Sequence, residues 1–191
     1  MLEAIRSPVR RAVSACTATV LGAALLTGCD ASGSAAPDLD DVRRTGVPPG
    51  AEPARVVHHV DGDTLRLEPL GDSRVLPAAE TPVRLLEIDA PEMSHEDGDH
   101  ECYAEEASEA LATLLPEGDL VLVVRDQELR DRYDRTLLYL WTEDGIFVNE
   151  ELVRLGFAGS VLFEPNDLHI DRMREAEQEA RDAARGLWGA C

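Results

Sequence analysis

Short β-rich runs, each closed by a turn signal, fill the sequence from Arg55 to Gly145. This punctuation restricts the fold more than any other feature. Val56 to Val60 is followed by Asp61-Gly62, a two-residue hairpin signal. Asp63 to Glu68 alternates, with Leu65 and Leu67 on one face. Val83 to Ile88 reads as a third strand, ended by Asp89-Ala90-Pro91. Tyr103, Ala107, Leu111, Leu114 and Leu115 recur at helical spacing until Pro116 and Gly118 stop them. Leu120 to Val124 is a continuous apolar run, hence a buried strand, and Thr136 to Trp141 is the next, closed by Asp144-Gly145. Val148, Leu152 and Leu155 predict a short helix before Gly156. Met173, Ala176, Ala180, Ala184 and Leu187 predict a last amphipathic one. Three strands, a helix, two strands and two more helices make an α+β chain. The expected architecture is a five-stranded Greek-key β-barrel of the OB type with three helices.

The chain has 191 residues, enough for one domain with appendages, and is 44% apolar, enough for a core. It carries 18 basic residues, all Arg, against 38 acids, for a net charge of -20. That balance excludes adhesion to nucleic acid through a broad basic field. Arg6, Arg10 and Arg11 precede a weakly apolar run from Ala12 to Gly28, which reads as an export signal rather than a membrane span. Its end, Leu26-Thr27-Gly28-Cys29, resembles a bacterial lipoprotein signal. Residues 1–28 are therefore expected to be removed and Cys29 lipidated, with 29–54 as a flexible linker and 55–191 as the domain. The product would be extracytoplasmic and membrane-anchored; a plain secretory signal cut near Ser34-Ala35-Ala36 is the alternative. Processing leaves Cys102 and Cys191, expected to form one disulfide, with two free thiols as the alternative.

Three segments carry chemistry: Val60-Asp61-Gly62-Asp63-Thr64, Val83 to Glu92, and Asp131-Arg132-Tyr133-Asp134-Arg135. In this order they resemble the staphylococcal nuclease (thermonuclease) family, from about Arg55 to Trp188. Gly145 to Glu150 and Glu164-Pro165-Asn166 add to the likeness. The resemblance implies Ca²⁺-dependent hydrolysis of DNA and RNA phosphodiesters to 3′-phosphorylated products. It makes Asp63, Asp89 and the backbone carbonyl of Ala90 the Ca²⁺ ligands, where the family usually has Thr at position 90. It makes Glu92 the general base and Arg84 and Arg135 the donors to the phosphate, because a guanidinium forks onto two oxygens as Lys cannot. Arg132 and Tyr133 match positions that contact a terminal phosphate.

The residues also admit plainer readings. Two turn aspartates need not meet, and Arg84 in an apolar strand has an ion pair to Glu87 or another acid as its alternative. Tyr133 reads equally as a half-buried barrel aromatic. The run from His95 to Glu101 reads as a solvated loop, with a second metal site as the alternative. Val161 and Phe163 replace Tyr residues common in the family, which weakens the expected grip on a base. His58, His59 and His169 receive no role. No obligate protein partner is evident and a monomer is expected. A catalytically weak module binding nucleic acid or protein at the cell envelope is the rival function.

Overall fold

The computed structural model describes Leu39 and residues 42–77, 79–93 and 100–191. The expected signal segment 1–28, Cys29 and residues 95–99 of the acidic loop lie outside these. Strands β1 (Glu52–His59), β2 (Thr64–Pro69), β3 (Thr81–Leu85), β5 (Leu120–Val124) and β6 (Thr136–Thr142) close a barrel in the order β1-β2-β3-β6-β5. All neighbours are antiparallel except β3 and β6, which run parallel with Arg84 opposite Leu137. Three helices surround it, α1 (Ala104–Leu114), α2 (Val148–Arg154) and α3 (Ile170–Asp182), and the last turn is α4 (Leu187–Ala190). Two-residue strands β4 (Ile88–Asp89) and β7 (Gly159–Ser160) pair beside the barrel. This is the expected α+β barrel of OB type.

Period-2 alternation does its work in β1 and β2, where Ala54, Val56, Leu65 and Leu67 point inward and are fully or almost fully buried. β6 is buried at every position, so its apolar run covers both faces. α1 turns Ala107, Ala110, Leu111 and Leu114 onto the barrel, as its spacing demands. Fully burying one such leucine stabilises by about 1.5–3 kcal/mol, which is why these faces fix the register.

Three expectations change. Val83 to Ile88 is not one strand: the chain turns at Leu86 and Glu87, whose φ is 62°. Leu86 still donates its N–H to the Leu138 carbonyl, 3.0 Å away, so the turn stays tied to β6. The final helix is likewise broken, because Ala184 (φ 48°) and Gly186 (φ 53°) leave helical geometry before Leu187. Finally, residues before Arg55 pack against the domain. β1 begins at Glu52, Arg44 bridges to Ile146, and Val42 and Val47 pack on the core. The part of the 29–54 linker from residue 42 is therefore docked, with Thr45 and Gly46 donating to the Gly145 carbonyl. Cys102 and Cys191 are joined in a disulfide that closes 89 residues of chain.

Candidate functional site

The turn that breaks the third strand builds the site. Arg84 ends up beneath it, 5% exposed, and its Nη1 donates to the carbonyls of Leu85 (2.9 Å) and Ile88 (2.8 Å). Its Nη2 lies 2.9 Å from Asp63 Oδ2 and 2.8 Å from Asp89 Oδ1. One planar group thus satisfies two backbone acceptors and neutralises two carboxylates, a task that suits the guanidinium fork. Glu87, the other partner considered for Arg84, is not involved. It is fully buried elsewhere, accepting from Tyr139 Oη at 2.6 Å and the His169 N–H at 3.1 Å. Burial pushes its carboxyl pKa up against those bonds.

Asp63 sits just before β2, on the hairpin loop that Asp61 shapes by accepting the Asp63 N–H at 3.0 Å. Gly62 permits the close approach: a Cβ there would lie 2.8 Å from the Cβ atoms of both Ala107 and Ala90. The loop is therefore wedged between α1 and the Asp89-Ala90 corner, and the Ala90 N–H donates to Asp63 Oδ2 at 2.7 Å. Thr64 holds the other oxygen at 3.1 Å. Burial raises the Asp63 pKa to about 7, with the nearby Arg84 charge pulling it down. Asp89, by contrast, leaves 64% of its side chain in solvent.

Asp89 and Arg84 open onto a cavity of about 590 Å³ that Glu92, Arg132, Tyr133, Arg135 and Phe163 also line. The Asp131 to Arg135 loop is a tight turn at the foot of β6, closed by Asp131 N–H to the Arg135 carbonyl and Asp134 N–H to the Asp131 carbonyl. Asp131 Oδ2 holds Arg135 Nε at 2.7 Å, and this contact keeps its own carboxyl below the usual range despite burial. Among the described residues, the terminal nitrogens of Arg135 make no hydrogen bond. Tyr133 is 64% exposed, so it is a rim residue and not a barrel aromatic. The Arg132 guanidinium lies 4.7 Å from its ring centroid and donates to its hydroxyl at 2.6 Å. Glu92 lies across from these arginines; burial and the neighbouring Asp61, Asp89 and Glu101 charges raise its pKa, while Arg84 opposes them.

Arg84, Asp89, Glu92, Arg132, Tyr133 and Arg135 therefore line one cavity, Asp63 is tied to it from beneath through Arg84, and Ala90 lines a neighbouring hollow. Phe163 forms a wall 5.6 Å from the Arg84 guanidinium, whereas Val161 belongs to a separate hollow on the far side of Asp89. His100 lies 3.7 Å from Glu105. The buried contacts of Glu87 with Tyr139 and His169 escaped notice because a glutamate at a positive φ carries no sequence signal.

Calcium suits this donor set. Buried Asp63 and exposed Asp89, held by one guanidinium nitrogen, offer hard oxygens of the kind Ca²⁺ takes when water fills its remaining positions. Among the described residues no three His, Cys, Asp or Glu side chains gather into an all-protein cage.

Comparison with known proteins accords with this geometry. The chain is 35% identical over 130 residues to the SPbeta prophage-derived endonuclease YokF of Bacillus subtilis (strain 168), spanning 68% of this chain and 41% of that one. It is 29% identical over 134 residues to a thermonuclease of Staphylococcus hyicus, 70% of this chain and 74% of the other. Endonuclease YncB of Bacillus subtilis (strain 168) is 32% identical over 130 residues, 68% and 58% of the two chains. The matched region is thus less than two thirds of YokF and of YncB. Residues 82–190 match the family described as staphylococcal nuclease homologue, and to that family this chain belongs.

Proposed function

We propose that the chain is a Ca²⁺-dependent nuclease hydrolysing DNA and RNA phosphodiesters to 3′-phosphorylated products. The observation that carries this reading is the convergence of Asp63 and Asp89 on Arg84 Nη2, beside a cavity that also holds Glu92 and Arg135. Relatives named as endonucleases and a thermonuclease support it. In this reading Asp63, Asp89 and the Ala90 carbonyl hold Ca²⁺, which supplies positive charge to the phosphate oxygens. Glu92 takes a proton from the attacking water, and burial with the neighbouring carboxylates makes it a stronger base than an ordinary glutamate. Arg135, whose terminal nitrogens make no hydrogen bond among the described residues, donates to the oxygens where negative charge grows. Arg84 contributes chiefly by holding the two aspartates and the turn, since two backbone and two carboxylate oxygens already engage its Nη groups. Arg132 and Tyr133 steady the phosphate on the far side of the scissile bond. The bond between phosphorus and the 5′ oxygen breaks, that oxygen takes its proton from solvent water, and Glu92 returns its own proton to solvent.

We place the enzyme outside the cytoplasm, anchored through Cys29, as the sequence of residues 1–29 suggests. The test of function is incubation of the full chain with DNA or RNA, with Ca²⁺ or with chelator. Cleavage that needs Ca²⁺ and that Glu92→Gln abolishes is expected. Binding without cleavage would favour the rival envelope module. Radiolabelled palmitate appearing in the wild-type chain but not in Cys29→Ser tests the anchor.

A further inference from the structure

On the far side of Asp89 lies a second hollow, of about 400 Å³, whose walls include Ala90, Ser160, Arg181 and Trp188. Asp89 lines both this hollow and the larger cavity, so the two adjoin at a proposed metal ligand. Each falls in the range of volumes that enclose one small ligand, about 300–1,000 Å³. A nucleotide chain with its scissile phosphate at Asp89 carries a nucleoside on either side. Arg132, Tyr133 and Phe163 line the place for one of them, and the other needs a place across Asp89.

One wall of the smaller hollow is built in layers. The Arg181 guanidinium carbon lies 3.5 Å from the ring centroid of half-buried Trp188, at van der Waals contact. Glu177 Oε1 accepts from both Arg181 Nε (2.9 Å) and Nη2 (2.6 Å), which fixes the plane of the group. Glu177 is held in turn, because its Oε2 accepts from the N–H and the hydroxyl of Ser160. Ser160 pairs with Ile88 across β4 and β7, and Gly159 pairs with Asp89. The layered wall is therefore registered to the strand that carries Asp89. The indole covers one face of the guanidinium and Glu177 one edge, yet 50% of the Arg181 side chain stays exposed. What remains open is the outer face and Nη1, which makes no hydrogen bond among the described residues.

This chemistry favours an uncharged ring over a phosphate. Glu177 already balances the charge of Arg181, and Asp89 and Glu101 add negative charge to the same walls. A flat guanidinium backed by an indole is a surface on which a base stacks. Resting on the nuclease reading, we propose that the hollow across Asp89 is a second nucleoside subsite. There the base on the side of the scissile phosphate away from Arg132 and Tyr133 stacks on the Arg181 guanidinium.

The test uses dinucleotides with a phosphate at each end, which hold a single diester, and analogues in which a tetrahydrofuran replaces one base or the other. kcat/KM with Ca²⁺ is measured for the full-length wild type, Arg181→Ala and Arg181→Lys, and Kd for the same chains carrying Glu92→Gln. On the intact dinucleotide, Arg181→Ala should cost about fivefold or more in both, the low end for stacking of one base. With the base missing on one side, that cost should shrink below about twofold; with the other base missing, it should persist in full. Arg181→Lys keeps the charge without the plane and should stay within about twofold of Arg181→Ala. A structural defect would cost the same whichever base is absent. That result, a harmless Arg181→Ala, a full rescue by lysine, or no binding of any dinucleotide would each overturn the proposal. The expected pattern in Kd from a chain that hydrolyses none of them would overturn the nuclease reading and leave the stacking site standing. Hydrolysis indifferent to Arg181 would do the reverse.

Discussion

Arg84 is where residue chemistry and local fold meet. It ties the carbonyls on both sides of the Leu86-Glu87 turn and both aspartates of the proposed metal pair. Lysine keeps the charge but has one nitrogen for a task that uses two. Arg84→Lys is expected to cut kcat by about 10²–10³-fold, read by oligonucleotide hydrolysis, with a lower Tm because buried Asp63 loses part of its neutralisation. Glu87 poses the opposite problem. Among the described residues its Oε2 is buried without a hydrogen bond, and burial raises its pKa. The folded state therefore favours the protonated acid: whatever stability the group lends is complete at low pH and is lost as pH rises through the raised pKa. Glu87→Gln should consequently raise Tm at pH 8, measured in chelator, and lose that advantage toward pH 4; a constant difference would contradict it. These two residues also mark what a sequence discloses. Arg84 was legible because a charged residue among Val83, Leu85 and Leu86 needs a reason. Glu87 in the same run was not, because its environment comes from Tyr139, Asp126 and His169, far along the chain.

At the scale of elements, alternation, helical spacing and turn residues disclosed every barrel strand and the helices α1 and α2. They missed the breaks at Glu87 and Ala184, since non-glycine residues at positive φ are imposed by packing and leave no local signature. They also missed the docking of residues 42–47, whose loop-like composition hid contacts with Gly145 and Ile146. The hairpin before β2 carries a prediction of its own. Gly62 touches α1 and the Ala90 corner with no room for a Cβ, so Gly62→Ala must push Asp63 away from Asp89 or move α1. A stability loss of about 1–3 kcal/mol is expected in denaturant melts, along with weaker Ca²⁺ affinity. Unchanged Ca²⁺ affinity would show that the hairpin does not position the pair.

For the whole molecule, the disulfide from Cys102 to Cys191 ties the start of α1 to the chain's end. A cross-link closing 89 residues is expected to stabilise by about 2–5 kcal/mol, mainly through the unfolded chain. Since neither cysteine lines the cavity, reduction should lower Tm while leaving kcat at moderate temperature within about twofold. A large fall in kcat on reduction would mean that the C-terminal turn supports the site directly. The barrel, in this view, holds distant side chains to one cavity, and the central claim is that those side chains act as one machine. The most direct measurement is a double-variant cycle in kcat for Glu92→Gln, Arg135→Ala and the pair together, with Ca²⁺ and a short single strand. Groups acting on one transition state are not additive, so the double variant should be scarcely slower than the worse single one, with each single loss at least about 10²-fold. Losses that multiply, or a single variant that cuts as fast as the wild type, would contradict it.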